Sequence, residues 1–219
     1  MVPAPLSQQL ADLSELLAQM CTHAAGSLRQ ATAALLECRE RLAVQVVARA
    51  AALGLLRGQL EELARDALLF HAPVAGDLRA VVSTIRAASD IDRMERLALH
   101  IAEAAQRRHP DAVLPAEVRA DFAQMGRLAV ELAVKAADVV RSRNVIRAVE
   151  LDGDDDAMDV LHHHMFEVLM DPGWPHGVAA AVDVTLLARY YERFADHSVA
   201  VARETVYAVT GREPDAIPI

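Results

Sequence analysis

The feature that most restricts the fold is a repeat: Leu187 to Gly211, reading LARYYERFADHSVAVARETVYAVTG, has a weaker copy one hundred positions earlier. Asp92-Arg93-Met94 falls on Glu192-Arg193-Phe194, Ala87-Ala88 on Leu187-Ala188, and Ile101-Ala102 on Val201-Ala202. At an offset of 105, Met20 meets Met125, Ala24 meets Ala129, Leu56 meets Leu161, Leu60 meets Met165 and Glu62 meets Glu167. Self-similarity over this period predicts two copies of one supersecondary unit. Within each copy the apolar positions advance by threes and fours, the period of a helix. Only 4% of the residues are aromatic, and Ala, Leu and Val dominate, so strong helix formers prevail over strand formers. The expectation is an all-α chain of two tandem three-helix bundle repeats, six long helices in all. The first repeat covers 1–109, the second 116–211, and 212–219 form a flexible tail.

The first helix is expected from Leu6 to Glu37 and the second from Arg39 to Phe70, with Pro73 closing it. Asp77 suits the cap or first turn of a third helix ending near Arg108. That helix is apolar on two sides, through Val81, Ile85, Ala88 and Leu99 and through Ile91, Met94, Ala98 and Ile101, so it should lie between neighbours. The proline-bearing stretch RRHPDAVLPAE separates the halves. A fourth helix follows from Ala116 to Val149. The acidic Gly153 to Asp156 starts or interrupts a shorter fifth helix ending near Met170, and the sixth runs from Val178 to Val209 with Gly211 just past its end. A pseudo-two-fold arrangement would set the third and sixth helices side by side.

With 22 Lys and Arg against 31 Asp and Glu, the net charge is −9. That balance argues against nucleic-acid binding, which needs clustered cations to displace counterions from phosphates. No secretory leader is evident in MVPAPLSQQL, and no window offers roughly 18 uninterrupted apolar residues, so a cytoplasmic location is expected. Cys21 and Cys38 lie about 25 Å apart along one helix and cannot bridge. Two free thiols suit a reducing compartment.

Glu192 and Asp196 share one helix face, where like charges repel by a few tenths of a kcal/mol. A cation, a nearby Arg or water must neutralise them. His197 is turned about 100° from Asp196 and reads as a packing or supporting residue. The consecutive His162, His163 and His164 point apart and cannot share one ion, whereas Asp155, Asp159 and His162 form a stripe that could. Asp77, Arg79, Arg93 and Arg193 are candidate partner contacts. A catalytic reading finds no support: neither GxGxxG nor GxxxxGK[ST] is present, and the Glu-x-x-His pairs of a di-iron bundle reduce to Asp159-x-x-His162.

The stretches PVAGDLRAVVSTIRAASDIDR (Pro73 to Arg93) and LARYYERFADHSVAVARETVYAVTG resemble the two signature regions of the PhoU family, with the likeness nearest to mycobacterial, PhoY-type members. The resemblance implies a six-helix fold and a cytoplasmic, non-enzymatic negative regulator of phosphate uptake. Such a regulator links the ATPase of a phosphate ABC transporter to a two-component sensor histidine kinase and represses the phosphate-starvation response. Some members hold metal clusters through Glu/Asp-x-x-x-Asp in each repeat. Here the second motif is intact as Glu192 and Asp196, while the first has Asp92 but Arg96 in place of its second acid. A site is therefore expected to be single, built on Glu192 and Asp196 with water, Asp92 or another chain completing it, and to take Mg, Mn or Fe. Asp155, Asp159 and His162 are the second choice, and pairing of the acids with Arg93, Arg96 or Arg193 is the alternative to metal. Asp92 and Arg96 are in the favourable order for a helical ion pair. Long apolar stripes suggest a homodimer, and a metal-binding storage or redox bundle is the competing function.

Overall fold

The computed structural model describes residues 4–212, which form α1 (Leu6–Glu37), α2 (Glu40–His71), α3 (Ala75–Arg108), α4 (Arg119–Ser142), α5 (Val145–Met170) and α6 (Gly177–Thr210). The fold is all-α, as expected. Helices α1, α3, α4 and α6 make the central layer, with α3 against α6 and α1 against α4; α2 packs on α1 and α3, and α5 on α4 and α6. Each contact has its counterpart in the other half. The tail proper, 213–219, lies outside the described residues.

Burial follows the repeat position by position. Leu17, Met20, Ala24, Leu28, Ala31 and Leu35 of α1 are buried, and so are Phe122, Met125, Ala129, Ala133, Ala136 and Val140, each 105 residues on. Ala87, Ile91, Met94, Ala98 and Ile101 of α3 are matched one hundred residues later by the buried Leu187, Tyr191, Phe194, Ser198 and Val201. The outer helices bury narrower seams: Val46, Leu53, Leu60 and Ala67 on α2, and Leu151, Met158 and Met165 on α5, spaced by sevens. Seven-residue spacing keeps one stripe facing one groove. Two buried hydroxyls are satisfied within their own helices: Thr32 Oγ1 donates to the Leu28 carbonyl and Ser198 Oγ to that of Phe194.

Three expectations are corrected. The fourth helix stops at Ser142 instead of continuing to Val149, because Arg143 adopts a left-handed conformation (φ 52°) and Asn144 caps the next helix, accepting from the amides of Ile146 and Arg147. The fifth helix is consequently long, and Gly153 to Asp156 lie inside it. Cys38, 105 residues before Arg143, is also left-handed (φ 53°), so both repeats end the first helix by the same device without glycine. A short 3-10 turn, Ala116–Val118, precedes α4. On α3, Ile85 is exposed and Leu99 only half-buried, while Val81 and Ala88 of the same stripe are buried and the helix lies between α1, α2 and α6 as expected.

Helices α3 and α6 run antiparallel. Arg79 at the start of α3 donates through Nε to the Tyr207 carbonyl near the end of α6 (3.0 Å), and Arg108 at the end of α3 meets Asp183 near the start of α6 (2.5 Å).

Candidate functional site

Where α5 lies along α6, the structure brings the two candidate metal sets together on one acidic seam. Glu192 and Asp196 come from α6; Asp155, Asp159 and His162 come from α5. Glu192 is 8% exposed; its Oε1 accepts from Arg189 Nη1, while Oε2 is buried without a partner. Burial raises its pKa, and Asp196 and Asp159 add to that, against the pull of Arg189. Asp155 is pushed up to about 7 by burial and by the nearby charges of Asp196, Asp159, Glu192 and Asp152. The pKa of His162 is lowered by burial and by Arg189, with Asp159 and Asp196 pulling the other way. Its ring packs edge-on against Phe166, 5.1 Å between centroids.

Three polar atoms on this seam are buried with no protein partner: Asp155 Oδ1, His162 Nε2 and Glu192 Oε2. Groups left so are costly unless water or an ion completes them. The donor set, carboxylates with one imidazole, suits Mg, Mn or Fe in its chemistry. Among the described residues, however, no three His, Cys, Asp or Glu side chains converge on one point. The seam thus offers donors and negative potential without a formed chelate.

The first repeat answers the same positions differently. Asp92, the counterpart of Glu192, pairs with Arg57 of α2, which also holds Glu61 at 2.7 Å. This corrects two expectations: Asp92 is taken up within its own repeat and does not complete a set with Glu192 and Asp196, and its counter-ion is Arg57, not Arg96. Asp92 is half-buried and turned toward α2, whereas Arg96 is exposed. Arg57 was missed as a functional residue, although the offset of 105 places it on His162 and would have marked it.

His197 pairs through Nδ1 with Asp90 of α3 (3.0 Å), joining the two central helices. Asp77 is exposed in the first turn of α3. Arg79 is engaged within the chain: besides its bond to Tyr207 it lies against Gly211, where an added Cβ would sit 3.1 Å from the guanidinium carbon. It reinforces the end of α6, reaching the Tyr207 carbonyl, which also accepts from the Gly211 amide (2.8 Å), and that of Ala208 (3.4 Å). Arg93 and Arg193 are exposed. Sequence reasoning also passed over Glu95, buried between α1 and α3, whose Oε1 accepts from Ser27 (2.8 Å) with His23 at 3.8 Å. Burial raises the Glu95 pKa and lowers that of His23. Its counterpart Ala195 shows that the scaffold itself does not require an acid there.

A family model described as the PhoU domain matches residues 17–105 and again 122–205. The chain is 53% identical over 207 residues to a "Phosphate-specific transport system accessory protein PhoU homolog 2" of Mycobacterium tuberculosis, covering 94% of this chain and 97% of that one. It is 52% identical over 213 residues to a "PhoU homolog 1" of Mycobacterium leprae, covering 96% of each. Its fold is similar to the crystal structures of PhoU from Pseudomonas aeruginosa (TM-score 0.82, 19% identity, 95% of this chain and 100% of that one). It also resembles the phosphate transport system regulatory protein PhoU from Streptococcus pneumoniae (TM-score 0.85, 20% identity, 95% and 99%).

Proposed function

The chain belongs to the PhoU family, and from that premise we propose that it is a phosphate-transport accessory protein acting by docking, not by catalysis, as a negative regulator of phosphate uptake. In this reading it works in the cytoplasm, contacts the ATPase of a phosphate ABC transporter, and passes phosphate status to a sensor histidine kinase so that the starvation response stays off when phosphate is plentiful. The observation that carries the reading is the likeness over nearly the full length to proteins named as accessories of phosphate-specific transport. The geometry is compatible with it. No helix among the described residues is long and apolar enough to cross a membrane, so contact with a transporter would run through exposed surface. Exposed apolar side chains stand at both ends of the bundle, Leu69, Phe70 and Val74 at the α2–α3 turn and Met170 and Val178 at the α5–α6 turn. Such surface suits a partner or a second copy, and a homodimer is part of the proposal; light scattering that gives a monomer at high concentration removes that part. The whole reading is tested by deleting the gene in a strain lacking any other copy and measuring phosphate-responsive transcription at high phosphate. Derepression is expected, and unchanged expression overturns it.

A second reading, cation binding on the α5–α6 seam, rests on the three buried atoms without partners, Asp155 Oδ1, His162 Nε2 and Glu192 Oε2. A Mg, Mn or Fe ion would neutralise the mutual repulsion there and could mark a storage or redox role. Elemental analysis of protein purified without added metal tests it: a stoichiometric metal that Glu192→Ala loses supports the site, and a metal-free protein removes it.

A further inference from the structure

We propose that the crossing of α3 and α6 docks an acidic segment of a partner protein on Arg93, Arg96 and Arg193. The proposal rests on the accessory reading above and names the chemistry of one docking surface. Most arginines of these two helices are already engaged: Arg86 faces Glu204, Arg108 faces Asp183, Arg189 faces Glu192, Arg203 faces Asp152, and Arg79 holds carbonyls at the end of α6. Arg93, Arg96 and Arg193 are exposed, and no described side chain bonds to them or forms an ion pair with them.

Their placement is shared. Because α3 and α6 are antiparallel, with Asp90 on His197 and Met94 touching Ser198, Arg96 is nearly level with Arg193 and Arg93 lies about one turn away. With packed axes roughly 8–10 Å apart, all three can reach one partner stretch on the order of 10–15 Å long. Arg93 and Arg193 occupy equivalent positions of the repeat, so the face is basic from both halves.

Like charges three apart on a helix repel, and no described acid forms an ion pair with these arginines, although Glu192 feels the charge of Arg193. Asp196, three residues from Arg193 and acting by its charge on Asp155 of α5, marks the α5 edge of the patch. A single small anion on an exposed helix face remains hydrated and screened. A segment carrying several carboxylates relieves the repulsion at all three guanidiniums and can be held by bidentate pairs. On a chain of net charge −9, an acidic partner is repelled elsewhere, which fixes where it lands.

The test uses the full chain and a fluorescein-labelled oligoglutamate peptide, followed by anisotropy at low and high salt. The triple variant Arg93→Gln, Arg96→Gln, Arg193→Gln is set against Arg41→Gln, Arg107→Gln, Arg127→Gln, which removes the same charge at three other exposed arginines. Expected are a loss of about tenfold or more in the first triple, a change under about twofold in the second, and weakening with salt. No binding at low salt, or equal losses in both triples, overturns the proposal. Displacement by equimolar inorganic phosphate would assign the face to a small anion, and self-association lost in the first triple without peptide binding would assign it to a second copy; either result also overturns it. In the deletion strain, a folded first triple that fails to restore phosphate control supports the proposal. Full restoration overturns it while leaving the accessory reading intact.

Discussion

Between α2 and α3, Asp92 faces Arg57; between α5 and α6, its counterpart Glu192 faces Asp155 and Asp159, and the position equivalent to Arg57 is His162. Along the outer helices, Ala50, Gly54 and Arg57 of the first repeat become Asp155, Asp159 and His162 in the second. One scaffold therefore carries a seam closed by an arginine of its outer helix and a seam that stays acidic although Arg189 of α6 pairs with Glu192. The backbone and the buried seam are common to both, since Leu53 and Leu60 answer Met158 and Met165. On this seam it is the polar stripe beside the core that has diverged. The difference teaches that the fold tolerates either charge state on this seam, so the acids of the second repeat are not needed for packing.

A similar exchange runs through the core. Tyr191 Oη bonds to Thr32 Oγ1 (2.9 Å), and Thr32 leans on Gly126, where an added Cβ would lie 2.6 Å from its methyl group. The equivalent positions are Ile91, Ala137 and Cys21, all buried. One side combines a large tyrosine and threonine with no side chain at all, and the other spreads the volume over three medium groups. The largest effect is expected here. Gly126→Ala should destabilise by about 2–3 kcal/mol, since the overlap and the strained Thr32–Tyr191 bond outweigh the roughly 1 kcal/mol that alanine gains in a helix. Adding Thr32→Ala should recover only part of the loss, because it strands the buried Tyr191 hydroxyl. Urea unfolding measures both; a neutral Gly126→Ala would show that the two sides of the core are interchangeable.

Next in size is the closed seam. Arg57→Ala leaves half-buried Asp92 without its counter-ion and should cost about 1–2 kcal/mol, read from the same unfolding curves. If Arg57 could be removed freely, the contrast between the seams would lose its electrostatic basis.

Much of this was legible in the chain. Apolar residues at threes and fours over more than thirty positions left little besides long helices, and the offsets of 100 and 105 paired the halves correctly. The α4–α5 boundary was not legible because its signal is local and weak: Arg143 turns left-handed without being glycine, and only Asn144 marks the next start. Glu192 and Asp196 could be placed on one face by spacing alone. Their meeting with Asp155 and Asp159 could not, because periodicity orders residues around one helix and says nothing of how its neighbour is rotated. The same limit hid Arg57 behind Arg96, the acid's partner in the helix but not in space.

The acidic seam gives an effect of opposite sign. An acid raised from its ordinary value to about 7 binds its proton more tightly in the folded state than in the unfolded one. Between about pH 4 and 7 the folded chain therefore holds more protons, and stability falls as pH rises through that window, levelling off above it. The full shift corresponds to about 4 kcal/mol, but Asp155 is only half-buried and solvent screens much of this. Asp155→Asn in chelator-treated protein should thus stabilise the chain by about 1–2 kcal/mol at pH 7.5 and flatten its pH dependence. Unchanged stability there would mean that the seam is already neutralised.

The smallest effect is expected where the sequence pointed most directly. Asp92 and Arg96 stand four apart in the order that favours an ion pair worth about 0.3–0.5 kcal/mol on an isolated helix. In the folded chain Arg57 has taken Asp92, and Arg96 faces solvent beside Arg93 and Arg193. Arg96→Ala should then change stability by less than about 0.5 kcal/mol, and the sign should tend toward stabilisation, because one of three neighbouring positive charges is removed. A double-mutant cycle with Asp92→Asn separates the alternatives: coupling between 92 and 57 is expected to exceed coupling between 92 and 96. The reverse order would restore the helical pair as the acid's true partner and leave Arg57 to Glu61 alone.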